Sequence, residues 1–195
     1  MLSSKKHLAE QILEPLIKPL SSINPNILTL IGIIPSILFF VFVILHWYIF
    51  ALIAFCFNIL DIIDGMVARK YDKVTKFGGL LDSTIDRISD FLTISAFAFA
   101  NIVRWEIIAP LLLFSFLTSY IRARGELANP NISLTIGLIQ RTERHIMIII
   151  ALIIYLIFPY VTVAIFNLSE IVFIILLILS SYTIFQRLTY LYRKF

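Results

Sequence analysis

Apolar residues gather along this chain in six runs, near residues 26–46, 48–68, 79–101, 106–126, 144–163 and 168–188. Each run is close to the length of about 20 residues that a helix needs to cross a bilayer. The first two are joined tightly around His46-Trp47-Tyr48, and aromatic rings of that kind favour the membrane–water interface. Asn24-Pro25-Asn26 reads as a cap and turn ahead of the first run. A different pattern precedes it: Leu8, Ile12, Leu13, Leu16 and Ile17 fall roughly on one side of a helix over residues 5–20, with Lys5, Glu10, Glu14 and Lys18 elsewhere. That distribution predicts a helix lying along the interface. The expected fold is therefore an all-α integral membrane protein, six transmembrane helices behind an N-terminal amphipathic interfacial helix. Its parts are an interfacial helix and turn over 1–24, a six-helix membrane domain over 25–190 and a cytoplasmic tail over 191–195.

Composition agrees with this pattern. The 195 residues are 60% hydrophobic and 14% charged, whereas soluble domains are about half apolar and about a quarter charged. The length suits one helical domain and leaves no room for a soluble domain of ordinary size. The opening residues do not read as a signal peptide, because no apolar core and small-residue cleavage site follow in order. The single Cys56 reads as a small buried hydrophobe, and disulfides and cysteine-rich metal sites are excluded. The net charge of +4 carries no aromatic–basic interleaving or zinc spacing, so nucleic acid is not an expected partner and membrane lipids are. If six spans alternate, the basic residues of the tails and connections, from Lys5 to Lys194, fall on one side and the other side receives only Arg104. Both termini are then expected in the cytoplasm, in a multi-pass protein of the cell membrane.

Four aspartates change the picture from a membrane protein to a membrane protein with chemistry. Asp61 and Asp64 are three apart, with Gly65 and Ala68 continuing the same helical face and Arg69 beside it. Asp82 and Asp86 are four apart on the next run, which follows Gly78 and Gly79. Carboxylates at the edge of hydrocarbon cost several kcal/mol unless paired, hydrated or metal-bound. Four together repel one another, and a divalent cation cancels that repulsion. Mg²⁺ or Mn²⁺ suits an all-oxygen set with no cysteine or histidine nearby. Gly65 and Ala68 leave the wall between the carboxylates low, and would equally serve helix packing. The two glycines at 78 and 79 let the third span begin close to the second. Asp90 continues the stripe beyond Asp86 beside Arg87, as either an outer support or a salt-bridge residue.

The run Asp61-x-x-Asp64-Gly65-x-x-Ala68-Arg69, then eight residues, then Gly78-x-x-x-Asp82-x-x-x-Asp86, resembles the signature of the CDP-alcohol phosphatidyltransferases. These membrane enzymes move a phosphatidyl-type group from a CDP-lipid to an alcohol. The resemblance implies that Asp61, Asp64 and Asp82 ligate metal, and that Asp86 completes the shell of a second metal while acting as general base. It implies two metal ions per site, CDP-diacylglycerol or CDP-archaeol as donor, and a homodimer. Asn26 and Thr29 look like the family's Pro-Asn-x-x-Thr entry to the first span; with Asp61, Gly65, Ala68 and Arg69 they would hold the CDP-lipid. The alternation of spans puts this site on the cytoplasmic side.

A second cluster bears on the acceptor. Ser119-Tyr120-x-Arg122-Ala123-Arg124 closes the fourth run and Gln140-Arg141-x-Glu143-Arg144-His145 opens the fifth. Convergent guanidiniums are suited to gripping a phosphate, which a free polyol would not require. The two stretches resemble the inositol-phosphate-accepting members of the family, the phosphatidylinositol-phosphate and archaetidylinositol-phosphate synthases. That resemblance implies inositol-1-phosphate as acceptor, held by Arg124, Arg141 and Arg144 with Arg122 behind them. Gln140 stands where that group has glutamate, and Gly125 follows Arg124 where alanine is common. Arg187, Arg193 and Lys194 read as positive-inside anchors. A glycerol-3-phosphate acceptor would use the same base and a similar clamp, and a cation-relay transporter would also keep intramembrane carboxylates.

Overall fold

The structure, a computed structural model, describes residues 24–59, 66, 67 and 70–195. The expected interfacial helix lies outside the described residues. So do Asp61, Asp64, Gly65, Ala68 and Arg69.

The described chain is all-helical but for one very short hairpin. Its α-helices are α1 (Pro25–Gly32), α2 (Ile34–Ile44), α3 (Tyr48–Cys56), α4 (Lys76–Phe99), α5 (Trp105–Ala128), α6 (Arg141–Ile157) and α7 (Leu168–Tyr192). The hairpin pairs β1 (Thr162–Val163) with β2 (Phe166–Asn167) in antiparallel register. Asn24 caps α1 through its side chain, which accepts from the Asn26 amide at 3.0 Å, and Pro25 occupies the first turn, where no amide donor is needed.

Several runs differ in detail from the pattern-based expectation. The first is two helices broken at Ile33, because Pro35 has no amide to donate to the carbonyl four residues back. The α-helix of the second run stops at Cys56 and tightens into a 3₁₀ turn over Phe57–Ile59. There Asn58 Nδ2 donates back to the Phe55 carbonyl at 3.1 Å, while Ser36 Oγ on α2 donates to Asn58 Oδ1 at 2.9 Å. The fifth run ends at Ile157 and not at 163, since Pro159 follows and the chain turns into the hairpin. The sixth runs on to Tyr192, into the segment expected to be a tail. Cys56 is exposed on its helix and not buried.

Among the described residues three helical stretches are long and apolar enough to span a membrane: Pro25–Ile44, Trp105–Ala128 and Leu168–Tyr192. Of the other helices, α4 carries Asp82, Asp86, Arg87 and Asp90, and α6 is only 17 residues long.

Packing centres on aromatic rings where α2, α3, α4 and α7 meet. Phe97 lies 4.7 Å from Phe173 and 6.3 Å from Phe39, and Phe39 meets Phe55 edge-on at 5.3 Å. The longest shared face is that of α5 with α7. Small hydroxyl residues are buried between helices, among them Ser36, Ser95, Ser115, Thr118, Ser169 and Thr183. Van der Waals fit and interhelical hydrogen bonds hold helices together where surrounding lipid removes the hydrophobic drive. One end of the bundle is pinned by an ion pair. Arg104 Nε, just past α4, lies 2.8 Å from Glu170 Oε1 in the first turn of α7, and its guanidinium sits over the Phe166 ring.

Candidate active site

At the other end of α4 and α7 a cavity of about 910 Å³ opens between α4, α5, α6 and α7. Its acidic wall belongs to α4. Thr75 caps this helix by accepting from the Gly78 amide at 2.9 Å, and the hydroxyls of Ser83 and Thr84 fold back onto carbonyls four residues earlier. Four-residue spacing then stacks Asp82, Asp86 and Asp90 along one stripe. Asp82 and Asp86 are half-buried and line the cavity, while Asp90 lies beyond them at 1% exposure. Gly78 lets α1 approach the start of α4: a methyl group there would meet Asn26 Oδ1 at 3.0 Å. Among the described residues nothing lies within 4 Å of a methyl group placed on Gly79, and most of the end of the second run, which the glycines were expected to approach, lies outside them. Thr29 is buried one turn along α1, its hydroxyl donating to the Pro25 carbonyl at 3.1 Å.

The basic wall belongs to α6. Gln140 caps it with a reciprocal pair: its amide donates to Glu143 Oε2 at 3.0 Å and its side chain accepts from the Glu143 amide. Arg141 and Arg144 then fall in the first turn, where the helix dipole disfavours cations. Carboxylates on α4 offset this. Arg144 Nη2 donates to Asp90 Oδ2 at 2.6 Å, Arg141 Nε to Asp90 Oδ1 at 3.4 Å, and Arg141 also pairs with Asp86. His145 Nε2 lies 3.2 Å from Asp90 Oδ1, and Arg87 reaches Asp90 at 3.5 Å and Asp86 at 3.8 Å. Asp90 is therefore the buried carboxylate at which the arginines of α4 and α6 converge.

Of the arginines expected at an acceptor phosphate, Arg141 and Arg144 line the cavity and Arg124 is not among the described lining residues. Two residues along a helix turn through about 200°, so Arg122 lines the cavity and Arg124 is exposed on another face. Arg122 Nε pairs with Glu126 Oε1 at 3.2 Å.

Sequence reasoning missed Arg187. It sits near the end of an apolar helix, where an anchor was expected, yet it is 5% exposed and lines the cavity. Its Nε donates to the Ile136 carbonyl at 3.0 Å and its Nη1 to the Thr118 carbonyl. A lone cation in a helical run with no other charged side chain between Glu170 and Arg193 was the available signal. Among the described residues the lining holds Arg87, Arg122, Arg141, Arg144 and Arg187 against Asp82, Asp86 and Glu126, so this part of the cavity favours an anion.

Asp82 and Asp86 offer hard oxygen donors suited to a divalent cation. Among the described residues no three His, Cys, Asp or Glu side chains group closely enough to hold a metal alone, and Asp61 and Asp64 lie outside them.

Residues 22–182 match the sequence model of the CDP-alcohol phosphatidyltransferase family. The archaetidylinositol phosphate synthase of Pyrococcus horikoshii is 38% identical over 190 residues, covering 96% of this chain and 94% of that protein. A crystal structure of the Mycobacterium tuberculosis phosphatidylinositol phosphate synthase with CDP-DAG bound shares the fold at a TM-score of 0.78 and 24% identity, covering 93% of this chain and 94% of that one. The same enzyme in complex with manganese and citrate superposes at a TM-score of 0.71 and 25% identity, over 91% of this chain and 88% of the other.

Proposed function

The chain belongs to the CDP-alcohol phosphatidyltransferase family, and from that premise we propose that it transfers a phosphatidyl or archaetidyl group from a CDP-activated lipid to inositol-1-phosphate, releasing CMP. The observation that carries the acceptor is the basic wall. Arg141 and Arg144 open α6 beside the carboxylates of α4, in a cavity with a surplus of arginine. A phosphate dianion there gains from the guanidiniums and from the helix N-terminus together. A neutral polyol would gain little from this charge.

In this reading the donor lies against α1 and the acidic stripe, with Asn26, Thr29, Asp61, Gly65, Ala68 and Arg69 around its nucleotide. Asp61, Asp64, Asp82 and Asp86 hold Mg²⁺ or Mn²⁺, two ions per site. When bound, the metal neutralises the diphosphate and makes CMP a tolerable leaving group. Asp86 takes the proton from the attacking hydroxyl of the acceptor. Arg141, in contact with Asp86 and lining the same cavity, keeps acceptor phosphate and base in one neighbourhood. Arg187 adds positive charge from the α7 wall. The manganese of the Mycobacterium tuberculosis structure supports the choice of metal, and the Pyrococcus horikoshii relative supports the choice of acceptor. Six spans with both termini and the cavity on the cytoplasmic side, and assembly as a homodimer, belong to the same proposal; the distribution of basic residues supports the orientation.

The test is CMP release by purified protein supplied with CDP-archaeol or CDP-diacylglycerol and Mg²⁺, with and without inositol-1-phosphate. Release that depends on the acceptor is expected, and none with either donor would contradict the proposal.

A further inference from the structure

The connection between α5 and α6 has little backbone pairing of its own near its end, and α7 side chains hold it there instead. Thr183, Gln186 and Arg187 lie at i, i+3 and i+4, on one face of α7. Thr183 Oγ1 accepts from the Ile139 amide at 3.1 Å, Gln186 Oε1 accepts from the Leu138 amide at 3.2 Å, and Arg187 Nε donates to the Ile136 carbonyl. Gly137, between these residues, has φ +141°, and a Cβ on it would stand 2.5 Å from Thr183 Cγ2. Residues 136–139 are thus docked on α7, each by its own contact. The next residues are Gln140, which caps α6, and Arg141.

We propose that Thr183 and Gln186 are positioning residues for acceptor recognition. They set where α6 begins, and so where Arg141 and Arg144 stand relative to Asp86. The inference rests on the reading that these arginines hold the acceptor phosphate. Neither α7 residue needs to touch the substrate. The hydroxyl of Thr183, fully buried, also donates to the Leu179 carbonyl at 2.9 Å, so its rotamer is held and its second lone pair is aimed at the loop. Losing that acceptor frees the loop by one amide and lets the start of α6 shift, whereas the described hydrogen bonds of Thr183 run to Ile139 and Leu179 and not to Asn26 or Thr29 on α1.

The experiment measures saturation curves for inositol-1-phosphate and for CDP-lipid on the full-length protein and on Thr183→Val, Thr183→Ser and Gln186→Leu. A lost neutral hydrogen bond corresponds to about a three- to tenfold change. The expected result is a rise of that size in acceptor KM for Thr183→Val and for Gln186→Leu, with donor KM within about twofold and Thr183→Ser near the parent. If Thr183→Val fails to fold, Gln186→Leu decides alone, because its partner Leu138 is exposed. Unchanged acceptor KM in the folded variants, or donor and acceptor KM rising together, overturns the proposal. Arg141→Ala, run in parallel, separates the two levels. If it raises acceptor KM while the α7 variants do not, only the positioning role falls; if it too is silent, the acceptor reading falls.

Discussion

Arg144 and Asp90 face each other across α6 and α4 with 2.6 Å between Nη2 and Oδ2, and their side chains are 3% and 1% exposed. Both charges are withdrawn from water, so each depends on the other, and Asp90 is further held by the neighbouring Arg141 and His145. Removing one partner strands the other. Asp90→Asn is expected to destabilise the protein by about 3–5 kcal/mol, seen as a large fall in Tm or in folded yield in detergent. Replacing both as Asp90→Leu with Arg144→Met should recover part of that stability, Arg141 and Arg87 keeping Asp86, while acceptor KM stays raised. If the double variant turned over inositol-1-phosphate normally, the pair would be structural only.

The two arginines on α6 should behave differently from the exposed one on α5. Charge-assisted hydrogen bonds are worth about 1.5–3 kcal/mol, so Arg141→Ala should raise acceptor KM by about ten- to hundredfold. Arg124→Ala, away from the described cavity lining, should leave it within about twofold. Saturation curves on purified, folded variants give both numbers. An equal effect of the two substitutions would contradict the placement of the acceptor.

Part of this was legible in the sequence, and the division has a physical cause. Spacings of three and four along a helix fix which side chains share a face, so the stripe through Asp82 and Asp86 could be read without coordinates. The break at Pro35 follows from the missing amide, although the length of the run concealed it. Arg187 stood out only as a lone cation in an uncharged run; its burial was not legible, because it depends on a loop with no periodicity docking against α7 some fifty residues later in the chain. An Arg-Ala-Arg run suggests joint action, but helical geometry sends its two arginines to different faces, and it is Arg122 and not Arg124 that lines the cavity. Asp90 could be placed on the stripe, and its partners on α6 could not.

Metal dependence is the next expectation. Chelation should abolish CMP release and Mg²⁺ or Mn²⁺ should restore it. Asp82→Asn should weaken Mn²⁺ binding by a titration that does not require turnover, such as loss of the free-ion spin resonance signal. Wild-type Mn²⁺ affinity in that variant would remove Asp82 from the metal site.

Asp86→Asn separates binding from chemistry. A general base contributes about 10²- to 10⁴-fold, so single-turnover transfer should slow by that order. CDP-lipid affinity, read by equilibrium binding, should fall much less, because the lost interaction belongs to the transition state. A normal rate would exclude Asp86 as the base.

The measurement that bears most directly on the account is CMP release with a panel of acceptors: inositol-1-phosphate, free inositol, glycerol-3-phosphate and serine, at matched concentration with a saturating CDP-lipid. The basic wall of Arg141 and Arg144 predicts turnover with inositol-1-phosphate well above the rest, and almost none with free inositol or serine. Preference for glycerol-3-phosphate would keep the phosphate clamp and change the polyol. Turnover of free inositol equal to that of inositol-1-phosphate would contradict the account.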